Sequence, residues 1–550
     1  MAHEFGWWSI VPPLAAILLA IVTRRAVLSL AFGLVVGVVI WKGGQPLVVV
    51  SGLTAMLSDS LAAYDVEGKS WDIDHVKVLL FTLVMGAMVG TVHQNGGMTA
   101  VANSVSTWAH NRRRGQLATW MLGLIVFIDD YANSLLLGNT MRPVTDRLRI
   151  SREKLAYLVD STAAPVSGIA LVSTWVAGEM SYIRDGLAEV QLGDVQFIEG
   201  SAVDAFSLFV MTIPTRFYVV WALLFVPIVA WMQRDFGPML AAERRAFAGQ
   251  VSPGPTSKRG DAPNKGHDEE DSQVAGHWAS AVVPIAITVL VTVLWLVVSG
   301  LNSTGESISV LNKLSGWVST IGNAATSDAL LLGSLSGWGI GLIAGAQQGW
   351  RLLLRGSLTG ARHVVPACFI LWLAWTMGDM TDSSHLQTAT FLASGVESVV
   401  AAWALPTVVF VLAAIVAFST GTSWGTMGIL MPIVIPTAVR VIAGSNGGAI
   451  SGSDPLLVAT IAGVLAGAIW GDHCSPISDT TVLSSAASRC DHIAHVRTQM
   501  PYALLVGGIS IVCGTLLIGI GVPVIVTHIL GITAMVAALR IFGQKVSIGH

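Results

Sequence analysis

Apolar residues run through this chain in long blocks rather than in the alternating or every-third-residue patterns of a water-soluble core. Val78–Thr91, Phe217–Met232, Ala281–Val298, Phe369–Met377 and Leu504–Val526 are such blocks. With their uncharged flanks they approach the roughly 20 residues an α-helix needs to cross a bilayer. The pattern predicts an all-α polytopic membrane protein with about 10–13 membrane segments, since helices satisfy their own backbone groups in lipid. Composition agrees: 53% of residues are hydrophobic and 11% charged, against about 25% charged in a soluble domain. The N-terminal block has its basic pair, Arg24-Arg25, after the apolar stretch. It therefore reads as a retained helix rather than a cleaved signal.

Charge enters the picture mainly through its placement. Basic stretches at Arg24-Arg25, Arg112–Arg114, Arg142–Lys154, Arg234–Lys265, Arg351–Arg362 and Arg489–Arg497 are expected on the cytoplasmic side. Gly178–Asp204 carries one Arg against six acids and, with Leu301–Ala325, is expected as an outer loop. Residues 242–275 are polar, mixed in charge and rich in Gly and Pro, the composition of a cytoplasmic disordered linker. It divides the chain into a first membrane half with leading helices, residues 1–241, and a second with trailing helices, residues 276–550. The net charge of −3 says little about partners in a chain with charges on two sides of a membrane.

A weak repeat relates the halves. "VFIDDYANSLLLGNTMRPVTDRL", from Val126, aligns with "AFSTGTSWGTMGILMPIVIPTAV", from Ala417. "DSTAAPVS", from Asp160, then aligns with one gap to "DHCSPIS", from Asp472. Gly115–Met141 lies between two basic stretches, so a re-entrant hairpin is expected there, with a counterpart at about Thr407–Val439. Opposite orientation of two such units gives the inverted repeat of many secondary transporters.

Polar groups collect at these places although charge in hydrocarbon is unfavourable. Asp129, Asp130 and Asn133 lie in the first hairpin; Asp160, Ser161 and Thr162 follow it. Asp379 and Asp382 end another apolar block, Thr422 and Ser423 mark the second hairpin, and Asp472, His473, Ser475 and Asp479 follow that. Pro165 and Pro476 are expected to break helices and free carbonyls of the preceding turn. Carboxylate, hydroxyl and carbonyl oxygens suit Na+, with Asp160 and Asp472 as the expected ion ligands. No Lys or Arg was found among these acids, which favours a cation or a proton. The bland readings are helix caps for Asp160 and Asp472, a surface pair for Asp129-Asp130, and packing for His93.

Cys490-Asp491-His492-x-x-His495 has a metal-like spacing but reads as ordinary solvated residues in a basic loop. The four cysteines are scattered and give no disulfide framework. The glycines from Gly333 to Gly345 read as a helix-packing surface. The 19 tryptophans are explained by interfacial belts. No Walker pattern occurs and no nucleophile–base pair is evident, so neither ATP drive nor an enzyme is expected.

"FIDDYANSLLLGNTMRPVTDRLRISREKLAYLVDSTAAPVS", "TGTSWGTMGILMPI" and "GDHCSPISDTTVLSS" resemble the NhaC-type Na+/H+ antiporter family of the ion transporter superfamily, over about residues 75–180 and 365–500. The resemblance implies an inverted-repeat fold with re-entrant hairpins and broken helices. It also implies an elevator-like alternating-access movement, a homodimer, and a bacterial-type plasma membrane. Na+ and H+ would be the transported ions, with no cofactor and no nucleic-acid partner. Asp129, Asp130, Asp160, Asp379, Asp472 and Ser475 are the positions it carries over. The family also includes exchangers coupling Na+ and H+ to malate and lactate. A Na+- or H+-coupled carrier of a small organic acid or amino acid is therefore the alternative.

Overall fold

The computed structural model describes residues 5–546 except 24, 62, 66–69, 193–196, 199–203, 250–275, 306, 313–319, 321–323, 382–383, 389–390, 392–399, 449 and 477. The described chain is helical but for two short antiparallel strand pairs, Ala63–Asp65 with Ser70–Asp72 and Arg234–Asp235 with Gln544–Lys545. Among the described residues nine helices are long and apolar enough to cross a membrane. The number reaches eleven when two bent pairs, Val27–Lys42 with Pro46–Asp59 and Ala205–Thr215 with Phe217–Met232, each count as one.

Helix Ala279–Thr304 shows how such a sequence sorts its faces. Thr288, Thr292, Leu296 and Gly300 recur every fourth residue and are buried. Leu290, Leu294 and Val298 follow the same spacing on the other side and are exposed. Four-residue spacing is one helix face, so a face of two threonines, a glycine and Leu296 meets protein and the all-aliphatic face is left for lipid. The buried face packs on helix Thr326–Ala344, where a Cβ on Gly337 would sit 1.8 Å from Thr288 Oγ1. Helices Asp74–Gln94 and Trp350–Thr381 approach as closely, since a Cβ on Gly90 would lie 2.1 Å from the Gly356 carbonyl oxygen. Small residues let backbones touch where burial against lipid supplies little drive.

The polar segments sit at interruptions between helices. In the first half, helices Arg112–Ile125 and Asp130–Arg147 pack together around Val126–Asp129, and Arg152–Asp160 is followed by the short Ala164–Ser167. In the second half, Leu405–Thr420 and Ser423–Ser445 pack around Gly421-Thr422, and Pro455–Cys474 is followed after four residues by Asp479–Ala487. The same succession, a helix pair and then a broken helix, thus occurs in both halves.

Two loop expectations are corrected. Residues 178–192 are not an outer loop but most of helix Val176–Leu192. Its apolar residues Met180, Ile183, Leu187 and Val190 fall at helical spacing and are buried. The linker begins later than residue 242, because helix Gly237–Phe247 runs through its first six residues. Leu240 and Ala246 of that helix are buried. Residues 250–275 lie outside the described residues.

Candidate functional site

Each interruption is held by its own short polar side chains. At the first, Asn133 Nδ2 lies 2.9 Å from the carbonyls of Gly123 and Val126 and 3.1 Å from that of Thr162, joining the hairpin to the next break. Thr174 donates its N–H to the Ile128 carbonyl at 2.8 Å and its hydroxyl to Asp129 at 3.1 Å. Asp130 is buried beside Asp129 and begins helix Asp130–Arg147. Helix Arg152–Asp160 stops at Ser161, and Thr162 Oγ1 donates back to the Leu158 carbonyl at 2.9 Å. In the second half, Gly421 turns the chain at φ 69° and Thr422 caps the helix Ser423–Ser445. Ser423 donates to the Ala468 carbonyl at 3.3 Å, and Ser475 to that of Phe418 at 2.8 Å.

The prolines act differently from the expectation. Pro165 stands in the first turn of Ala164–Ser167, and Pro476 lies in the non-helical link after Cys474. Neither interrupts a helix from inside. A first-turn donor has no intrahelical partner anyway, so proline fits there without loss. The Pro476 carbonyl accepts from His492 Nε2 at 2.7 Å.

Asp160 is fully buried, and among the described residues its carboxylate is met from the second half. It accepts from Thr481 Oγ1 at 3.1 Å, from Ser484 Oγ at 3.4 Å and from Gln499 Nε2, while His495 Nε2 lies 3.4 Å away. His473 Nε2 is 3.1 Å from the Asp160 carbonyl and its Nδ1 is 3.0 Å from the Tyr218 hydroxyl. Gln499 also donates to the His473 carbonyl at 2.9 Å. His495 is therefore not a solvated loop residue. Asp491 caps helix His492–Ile509 through the Ala494 N–H, which turns His495 inward to full burial.

Asp472 is placed otherwise. One carboxylate oxygen accepts from Thr480 Oγ1 at 3.3 Å. The other is buried and has no hydrogen-bond partner among the described residues. Thr480 and Thr481 are adjacent, so the first turn of helix Asp479–Ala487 touches both Asp472 and Asp160. Asp479 itself is exposed and accepts from the Tyr131 hydroxyl of the first hairpin. The structure thus joins Asp160, Asp472, His473 and Asp479 in one region, with Asn133, Ser161 and Thr162 bordering it. Asp379 lies elsewhere, between Gly378, which faces Pro432, and Met380, which packs on Gly37. Asp382 and Ser383 lie outside the described residues.

Sequence reasoning missed a buried cation. Arg216, at the bend before Phe217–Met232, is fully buried and pairs with Glu179 at 2.7 Å. It also donates to the Gly168 carbonyl and to Thr212 Oγ1. The break after Asp160 is thereby tied to helix Val176–Leu192. No group of three or more His, Cys, Asp or Glu side chains placed to hold a metal occurs among the described residues. A cation here would need hydroxyl and carbonyl oxygens as well as a carboxylate.

The comparisons with known proteins agree with the family resemblance. The sequence pattern of the Na+/H+ antiporter family matches residues 166–520. A Haemophilus influenzae protein is 32% identical over 502 residues, covering 91% of this chain and 88% of its own. A second H. influenzae protein, described as a Na+/H+ antiporter, is 39% identical over 107 residues, 19% of this chain and 20% of its own. The Alcanivorax borkumensis YdaH transporter superposes with a TM-score of 0.53 at 14% identity, covering 86% of this chain and 98% of its own; that likeness concerns the fold. This multi-pass, broken-helix chain is a secondary transporter and belongs to the Na+/H+ antiporter family.

Proposed function

We propose that this protein exchanges Na+ for H+ at Asp472. The observation that carries the proposal is the buried Asp472 oxygen, which has no hydrogen-bond partner among the described residues. A charged carboxylate so placed is strongly unfavourable, and either a proton or a bound cation relieves it. The two relieve the same charge and so exclude each other, which is the minimum an antiporter requires. Ser475, Ser478 and Thr480 lie in the same break and bring neutral oxygens toward a Na+ ion.

Asp160 takes a different part in this reading. Its donors from Thr481, Ser484 and Gln499 already compensate its charge, so it holds the two halves in register. Na+ bound at Asp472 displaces the Thr480 hydroxyl and, through the adjacent Thr481, shifts the contact between the halves. Alternating access then follows by an elevator-like movement of the paired hairpins and broken helices as inverted repeats. The protein works as a homodimer in a bacterial-type plasma membrane, with the linker that follows helix Gly237–Phe247 on the cytoplasmic side. Proteoliposomes carrying an internal pH dye test the activity. A Na+ pulse at some pH between about 6 and about 9 should move protons; a silent dye throughout contradicts it.

A further inference from the structure

A cavity lies away from the paired breaks. It has a volume of about 460 Å³ and lies at the Asp74 end of helix Asp74–Gln94. The Gln94 end leads into Asn95, whose side chain donates to the carbonyl of Ser280, just beyond the linker. Helix Asp74–Gln94 has 21 residues, so the cavity and the linker lie about 30 Å apart along it. That places the cavity on the outer side if the basic segments face the cytoplasm.

Its lining carries three acids, Asp74, Asp204 and Asp328, and two bases, Lys77 and Arg184; Asp204 is engaged in capping helix Ala205–Thr212. Arg184 pairs with Asp74 at 2.6 Å, and Lys77 pairs with Asp328 at 2.9 Å and Asp74 at 3.2 Å. Ser181 also lines it, is 1% exposed, and has no hydrogen-bond partner for its hydroxyl among the described residues. Helix Thr326–Ala344 begins at the cavity, and Ala325 before it supplies no side-chain cap. Its first-turn N–H groups and positive dipole end favour an anionic group. Met180, Leu187 and Phe206 complete an apolar wall.

We propose that this cavity binds a small zwitterion, an α-amino acid with an apolar side chain. The carboxylate meets Ser181, Arg184 and the uncapped helix start, and the ammonium meets Asp74 and Asp328. The side chain lies on the apolar wall. A zwitterion exchanges one opposite charge for each partner it displaces, so none of these half-exposed ion pairs loses its compensation. A lone anion frees an aspartate, and a lone amine frees a basic side chain. The volume fits, because small-molecule sites start at about 300 Å³.

Binding of radiolabelled leucine to the purified full-length protein tests this, with 4-methylpentanoate and 3-methylbutylamine as competitors that each lack one charge. Leucine should bind saturably, and neither competitor should displace it at matched concentration. Ser181→Ala removes no existing partner and so should fold as wild type; it and Arg184→Gln should each weaken binding at least tenfold. Absence of leucine binding, equal competition by the acid or the amine alone, or unchanged binding in both variants overturns the proposal.

Discussion

Thr481 Oγ1 donates to the Asp160 carboxylate at 3.1 Å, across the boundary between the two halves of the chain. The residues are 321 positions apart, yet this bond, with those of Ser484 and Gln499, fixes how one half sits on the other. Asp472, which follows the second hairpin as Asp160 follows the first, keeps one carboxylate oxygen without a hydrogen-bond partner among the described residues.

That asymmetry separates two otherwise similar substitutions. Asp160→Asn replaces an acceptor oxygen by an NH2 group facing donors and should destabilise the protein by about 2–3 kcal/mol. Asp472→Asn removes a poorly compensated charge and should change stability by less than about 1 kcal/mol. Both should lose Na+-driven proton movement. Thermal unfolding in detergent, followed by tryptophan fluorescence, separates them; equal losses of stability argue against the asymmetry.

The Arg216–Glu179 pair should behave as a unit. Arg216→Met alone leaves a buried carboxylate uncompensated and should cost about 3–5 kcal/mol. The double variant with Glu179→Leu should recover most of that loss, because removing both charges also removes their desolvation. A double-mutant cycle on unfolding midpoints reads the coupling. Additive effects would place the two side chains out of contact.

Outside the membrane segments, Glu243 carries a pH dependence. It accepts the Ser151 N–H at 2.7 Å and pairs with Arg112. Burial, and then the charge of Asp235, hold its carboxyl above the usual range, against the opposing pull of Arg112 and Lys154. A carboxyl whose folded value is raised adds stability below its unfolded value, and that stability is lost as pH rises through the folded value. This carboxyl should therefore add stability as pH falls through its raised folded value toward the ordinary glutamate range, and Glu243→Gln should lack that gain. Identical pH profiles for the two proteins would contradict the assignment.

The sequence made the breaks legible because each carries a dense cluster: Asp129-Asp130 with Asn133, Asp160 with two hydroxyls, and "GDHCSPISD". It did not show what meets Asp160. His495 and Gln499 are four residues apart and share a helix face, but helix His492–Ile509 starts within a basic stretch and so read as a loop. Counting charge over Gly178–Asp204 hid Glu179 in the same way, although Met180, Ile183 and Leu187 have helical spacing. Arg216 left a local signal, one cation between the apolar helix Ala205–Thr212 and the block Phe217–Met232. Its partner lay 37 positions away, and single-sequence patterns do not register such distances.

Proton release on adding Na+ to the purified protein, in weakly buffered detergent solution, tests the role of Asp472 most directly. Within roughly pH 6–9, wild type should release about one proton per Na+ bound at that carboxylate. Asp472→Asn should release none, while Asp479→Asn should still respond. Release from Asp472→Asn equal to that of wild type, or none from wild type anywhere in that range, would contradict exchange at Asp472.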